Sequence, residues 1–541
     1  MGCWIGESSS TRATHVPGTS LLDDLKASPA TQEQSTHLKR DKNGIVLVPQ
    51  PSDDPRDPLN WPTWKRELAY WNIVFATSLV GAIGPLISPG FVQIAKEFRV
   101  SVNKVAGTNA ALVLAIGAAM IPVSTVAIKW GRRPVYIWGA TFLLAGSIWS
   151  AAKPDLDNLL ASRVIQGLGM APVESTATAT IGDLFPVHQR GMRVAVWGLS
   201  LLGGINVAPI VAGTIISTIG WRYCFWTIVP FFALSLVFMI LFLPETAYDR
   251  APVANGLGTS PGDIVVAEDD KDEKAFAEQV EDVDAVEKQD GYLPPKSVWL
   301  EMLPWSGYIN KDPIWKIFLR PFLMLFSPAT FWGFLTYGIA SLLLVLVSAT
   351  NSLIFSKSYG FTSRQTGLVS ISPLIASILM SLVAGYIADF LATFMARRNK
   401  GVFEPEMRLL LMIPYAVLVI AGYVGWALSY RNHDHWMVPV IMYGFVNAGQ
   451  KFLSTASVTY IIDVHREQTS ECQAVINFLK NVISYRIGTE INGWVVSLGI
   501  EQTFYVLAGV SAGIALTTIP MYHYGKRCRA WVSRNQQLFV L

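Results

Sequence analysis

The chain has 541 residues, of which 51% are hydrophobic and 15% charged, and its mean hydropathy is +0.37. A soluble protein carries about 25% charged residues, so this composition excludes a typical soluble enzyme of the same length and a chain disordered through its main body. The net charge of +3 hides a division: residues 263–290 hold twelve acids against three bases, or −9, which leaves +12 for the remainder.

In chain order, residues 1–66 are polar and rich in Ser, Thr, Asp and Pro. They read as a disordered cytoplasmic tail without a signal-peptide core. Six apolar stretches follow, at 68–88, 104–127, 134–152, 157–180, 192–216 and 222–244. Each approaches or exceeds the roughly 20 residues that cross a bilayer. Together they define a first bundle over 67–246. A polar loop containing the acidic stretch covers 247–325. Six more stretches lie at 328–353, 363–388, 408–430, 436–462, 473–497 and 502–524, giving a second bundle over 326–524 and a basic tail over 525–541. The predicted fold is an all-α membrane protein with twelve transmembrane helices in two six-helix bundles.

An even number of spans puts both termini on one side. The loops and flanks of that side hold twenty Lys and Arg, against eight on the other. The bias places both termini and the acidic loop in the cytoplasm. Glycine and proline interrupt the helices, notably Gly81, Gly84, Pro85 and Pro89 in span 1 and Gly198, Gly203, Gly204, Pro209 and Gly213 in span 5. Small residues allow close helix approach and proline bends a helix. Such features serve a protein that rocks between two shapes, or tight packing alone.

Other chemistries find no support. The four cysteines are scattered, the seven histidines show no zinc spacing, and no nucleophile–base set is visible. Gly167-Leu168-Gly169 has no preceding strand and no P-loop lysine, so it is not a phosphate loop. No enzyme activity, metal or cofactor is expected. The bases lie between apolar runs, which argues against nucleic acid and for a lipid bilayer.

Charges inside spans mark function, because each costs at least a few kcal/mol there unless it meets a cavity or a partner. Span 4 carries Arg163 and Glu174, eleven residues apart and so on one helix face. Glu174 lies nearer the midplane, as a proton carrier, a partner for a cationic substrate, or a structural acid. Spans 10 and 11 carry Gln450, Lys451, Lys480, Arg486 and Glu490. Arg486 and Glu490 can pair at i,i+4. Lys451 either pairs with an acid on another helix or, if it faces a cavity, favours an anionic substrate group or neutralises an acid such as Glu174. Asn351, Asn447 and Gln450 offer uncharged hydrogen bonds to a substrate or between helices.

Several segments carry a family resemblance. They are Asp57-Pro58-Leu59-Asn60-Trp61-Pro62 before span 1; Lys129-Trp130-Gly131-Arg132-Arg133-Pro134 after span 2; and Arg163-Val164-Ile165-Gln166-Gly167-Leu168-Gly169 with Pro172, Glu174, Asp183 and Arg190-Gly191 around span 4. The others are Gly204, Ala208-Pro209 and Ala212-Gly213 in span 5; Gly385-Tyr386-Ile387-Ala388-Asp389 after span 8; Phe403-Glu404-Pro405-Glu406-Met407-Arg408 before span 9; and Asn477 to Asn481 in span 11. Over about residues 51–531 the chain resembles the major facilitator superfamily, in particular the fungal twelve-span drug:proton antiporters. It departs from the family's loop motif at Ser124 and Ile128, which stand where the family has Gly and Asp.

The resemblance implies a secondary active transporter that works by alternating access and exports a drug, toxin or secondary metabolite against protons. It implies proton coupling at Arg163, gating by Gly131, Arg132, Arg133, Asp183, Arg190 and Asp389, and an antiporter motif at Gly204, Pro209 and Gly213. The expected partners are a small organic substrate, protons and the lipid bilayer, with the chain acting as a monomer in the plasma membrane. An importer of a cationic nutrient such as a polyamine remains open within the same fold. So does a non-transporting sensor, favoured by Ile128.

Overall fold

A computed structural model describes residues 51–52, 56–153, 155–248, 307–310, 312–399, 402–465 and 468–535, with a two-residue strand at Ser20–Leu21. Among the described residues, the two halves are built on α1 Thr63–Ile83, α2 Val102–Trp130, α3 Arg133–Ala152, α4 Leu156–Leu184, α5 Val187–Thr218 and α6 Arg222–Phe242 in the first. The second half holds α7 Ile339–Tyr359, α8 Ile371–Arg398, α9 Met412–Arg431, α10 Met437–Val464, α11 Thr469–Leu498 and α12 Ile500–Leu516. Helices satisfy every backbone polar group internally, as a chain surrounded by lipid must. Nine helices among the described residues are long and apolar enough to cross a membrane. The long ones that are too polar are α4, α10 and α11, which carry Glu174, Lys451 and Lys480.

The helix ends depart from expectation where breakers act. α1 stops at Ile83, before Gly84 and Pro85, and a 3₁₀ turn at Ser88–Gly90 leads into a short helix, Phe91–Phe98. Span 8 is split into Ser363–Leu368 and α8, and α8 continues to Arg398. Asp389 therefore lies inside the helix and not at its end. The backbone before α7 begins as a helix at Pro328–Gly333 and passes through a π turn, Phe334–Gly338.

Parts of the expected tails and loop are built into the fold. Asp57 is fully buried; its carboxylate accepts the backbone N–H of Leu59 at 3.0 Å and of Ser52 at 3.0 Å, which fixes the turn Pro58–Asn60 that leads into α1. Within the expected central loop, Ile314–Met324 forms a helix; the acidic stretch 263–290 lies outside the described residues. A further helix, Thr518–Arg534, follows α12. There Arg529 binds Glu406 at 2.9 and 2.7 Å and Glu404 at 2.6 Å, and Lys526 meets Glu404 at 2.9 Å. All four side chains are largely buried, so this cluster ties the segment before α9 to the end of the C-terminal half. Val402–Phe403 of the same segment pairs antiparallel with Ser20–Leu21.

Each half has its own apolar core. Within the first, α1 and α5 approach so closely that a Cβ on Gly204 would meet the Ser78 carbonyl and one on Gly81 the Leu201 carbonyl. The halves meet along α2 and α11, where Gly117 leaves room for Asn481 and Phe478. They also meet at the face opposite the termini. There the Ser352 hydroxyl donates to the Pro89 carbonyl at 3.2 Å and the Ser363 hydroxyl to Gln93 at 3.1 Å. Gly213 of α5 lies against Ser363 and Gly367, and the Pro209 carbonyl meets Gly367.

Candidate functional site

α4 contributes two charged side chains in unlike surroundings. Arg163 is fully buried inside the first half. It donates to the Ile83 carbonyl at 2.8 Å and to Gln166 at 3.1 Å, and its guanidinium stacks 5.1 Å from the Phe225 ring. Its Nε and Nη2 have no partner among the described residues. Gln166 is held in turn by Ser150 at 3.0 Å. Arg163 thus fastens the end of α1 to α4 and α6.

Glu174 is half-buried, with no hydrogen bond or ion pair among the described residues. The charge acting on it is that of Lys480 on α11, across the boundary between the halves. The eleven-residue spacing puts Glu174 on Arg163's side of the helix, yet Arg163 packs into the first half while Glu174 lies in the field of a charge on the second.

α7 and α10 bring the predicted amides together. The Tyr443 side chain lies close to Ser348, Asn351 and Asn447. Asn447 also donates to the Tyr443 carbonyl at 2.9 Å, and Gln450 donates to Ser341 at 3.2 Å. The Oδ1 of Asn351 is buried without a partner among the described residues. Lys451, one turn from Asn447, makes no hydrogen bond or ion pair among the described residues. Arg486 and Glu490 do pair, at 3.0 Å on an exposed face, and so neutralise each other.

The third group lies at the turn between α2 and α3. Gly131 has φ +106° and ψ 166°, backbone territory open to glycine, and a Cβ there would meet the Glu245 carboxylate. That carboxylate accepts the N–H groups of Arg132 at 2.9 Å and Arg133 at 3.1 Å, at the start of α3 where the helix dipole favours an anion. Arg132 pairs with Asp183 at 2.6 Å. The Arg133 side chain is buried and donates to the Ile240 carbonyl at 2.8 Å. Arg133 therefore secures the turn to α6. Ile128 lines a cavity of about 200 Å³ with Arg132, Asp183, Asn310 and Ser470. The side chains of Arg190 and Asp389 lie outside the described residues.

Of the α5 motif, Gly204 serves contact within the first half, whereas Pro209 and Gly213 touch the second. Sequence reasoning did not find Tyr443, Ser341, Ser348 or Glu245, which are ordinary residues until the fold surrounds them. Lys480 stood out as a charge in a span, but nothing in the sequence joined it to Glu174.

A match to the Major Facilitator Superfamily covers residues 73–489. An uncharacterized MFS-type transporter of Schizosaccharomyces pombe is 25% identical over 97% of this chain and 94% of its own. Protein HOL1 of Saccharomyces cerevisiae is 24% identical over 96% of each chain. The efflux pump radE of Floropilus chiversii is 23% identical over 88% of this chain and 84% of its own. Among solved structures, a D-xylose–proton symporter aligns with 84% of this chain and 97% of its own, at a TM-score of 0.59 and 13% identity. At that identity the likeness shows the fold alone: two bundles of six helices.

Proposed function

We propose a coupling scheme for a chain that belongs to the Major Facilitator Superfamily and is therefore a multi-pass membrane transporter, not an enzyme. In this scheme the protein exports a small organic compound while protons move the other way. Glu174 carries the proton, and the bundles rock about the boundary between them. One observation carries the scheme. Among the described residues Glu174 and Lys480 form no ion pair; they lie at span depth on opposite halves, each within the other's field. A proton arriving at Glu174 removes its charge, so the attraction between α4 and α11 weakens. Protonation is thereby linked to the separation of two helices that belong to different bundles, which alternating access requires. The name of the efflux pump radE supports export over import.

The test is transport by cells with and without the chain, at controlled pH, for wild type, Glu174→Gln and Glu174→Asp. Export by wild type should collapse when a protonophore removes the gradient. Glu174→Gln should lose the pH dependence and Glu174→Asp should keep it in part. Export that persists under protonophore, or equal proton-driven export by wild type and Glu174→Gln, would refute the scheme. Absence of transport of any compound would point to the non-transporting sensor.

A further inference from the structure

The charges carried inside the spans are unevenly matched. Arg163 is fastened within the first half and Arg486 is neutralised by Glu490. Glu174 has Lys480 opposite it. This leaves Lys451, a second cation at span depth with no acid of its own among the described residues.

Its position follows from helix geometry. On α10 the exposed Ile441 and Phe445 mark the lipid side. At 3.6 residues per turn Lys451 is rotated about 100° away from them. It continues the stripe of Gly444 and Asn447, spaced by three and four residues. Gly444 packs on Ser372 of α8, and Asn447 joins Tyr443 and Asn351 of α7. Lys451 is half-buried on that stripe. The nearest undescribed acid along α8 is Asp389, seventeen residues beyond Ser372, whereas Lys451 is seven beyond Gly444. The ten-residue offset on helices that run the same way separates them by about 15 Å.

A lone ammonium at this depth is costly unless something neutralises it. We infer that Lys451 receives an anionic group of the transported compound, a carboxylate or a group of like charge. Asn447, one turn away on the same face, offers an uncharged hydrogen-bonding group to the same compound. The inference rests on the transporter reading above and adds the substrate class: organic acids, in preference to amines. It also separates two tasks, with proton carriage at Glu174 on the first half and substrate charge at Lys451 on the second.

The experiment compares small-molecule pools inside and outside cells that express the full chain, Lys451→Met, Lys451→Arg, Glu174→Gln or an empty vector. Pools are read by mass spectrometry, which separates acids from amines and neutral compounds. Surface expression and monodispersity in detergent are checked for each variant. The expected result is that compounds depleted from wild-type cells carry an acidic group. Lys451→Met should reduce their export at least tenfold, and Lys451→Arg should restore part of it. Depletion of amines or neutral compounds alone, or undiminished export of acids by well-expressed Lys451→Met, would overturn the anion site and leave the transporter reading standing. No difference between wild type and empty vector would overturn both.

Discussion

Gly213 sits where the two halves touch on the face opposite the termini, which makes it a direct handle on opening. A Cβ at this position would lie 2.6 Å from the Ser363 carbonyl oxygen and 3.1 Å from the Gly367 Cα. Both neighbours are backbone, so a side-chain rotation cannot relieve the overlap. Overpacking of this kind costs about 1–3 kcal/mol, and it is felt only while the halves are in contact. The greater helix propensity of Ala over Gly acts equally in both states and cancels. Gly213→Ala should therefore raise the population separated at this face by about 5–150-fold.

The assay introduces Ser352→Cys at a position that is 3% exposed and bridges to Pro89 of the first half. With Cys3→Ser and Cys528→Ser in the background, the remaining Cys224 and Cys472 are buried. A membrane-impermeant maleimide applied from that face should label the thiol introduced by Ser352→Cys faster in Gly213→Ala, by the same factor. Gly203→Ala, on the same helix with open space around it, should label at the parent rate. Equal rates in Gly213→Ala and Gly203→Ala would refute the reasoning.

Two further predictions concern charge at the other face. Arg529→Met strands the buried carboxylates of Glu404 and Glu406, so unfolding in detergent should become easier by about 3–5 kcal/mol at neutral pH. Burial alone would raise the Glu404 carboxyl, but Arg529 and Lys526 outweigh it and hold it below the usual carboxylate range. A depressed carboxyl stabilises above its unfolded value and loses that contribution as pH falls through its folded value. The gap between wild type and Arg529→Met should thus narrow on acidification, and a gap independent of pH would contradict the ion-pair account. His465, at the end of α10, is buried and bonded to Ser327 at 2.7 Å, and burial pushes its imidazole down to about 4. Its neutral form belongs to the folded state, so stability is full above about 6.5 and falls by up to about 3 kcal/mol as pH drops from 6.5 towards 4. His465→Gln should remove that slope; an unchanged pH profile of unfolding would argue against it.

The spans were legible because roughly twenty apolar residues in a row have few meanings. The connecting pieces were not. Ile314–Met324 is a short helix that buries Ile317, Pro321 and Met324 and leaves Trp315 and Phe318 exposed, so its apolar residues look scattered inside a polar loop. At the site, Glu174 was legible from its chemistry, since an acid in a span needs a reason. Its partner was not, because 306 residues separate Glu174 from Lys480, and only the packing of α11 against α2 and α4 of the other half brings them together. Arg163 shows the opposite case. Its charge drew attention, but helical spacing says nothing about what stands opposite a face. There the structure provides the Ile83 carbonyl and the Phe225 ring. Pro209 and Gly213 were visible as breakers in one helix, whereas their contact with Gly367 required knowledge of the other half.

The polarity of α4, α10 and α11 bears on how the protein is made. Segments emerge from the ribosome in order, and a strongly apolar one settles into lipid unaided. A helix bearing Glu174 or Lys451 has a weaker claim to the bilayer until neighbours shield its charge. α4 follows α2 and α3, against which it packs, so its hosts are already in place. α10 likewise follows α8 and α9, on which it packs, and α11, which carries Lys480, follows α2 and α7, its own hosts. Each polar helix therefore enters the bilayer after the helices that shield it. Biogenesis of this chain should depend on that order, and a polar helix made ahead of its hosts should insert poorly.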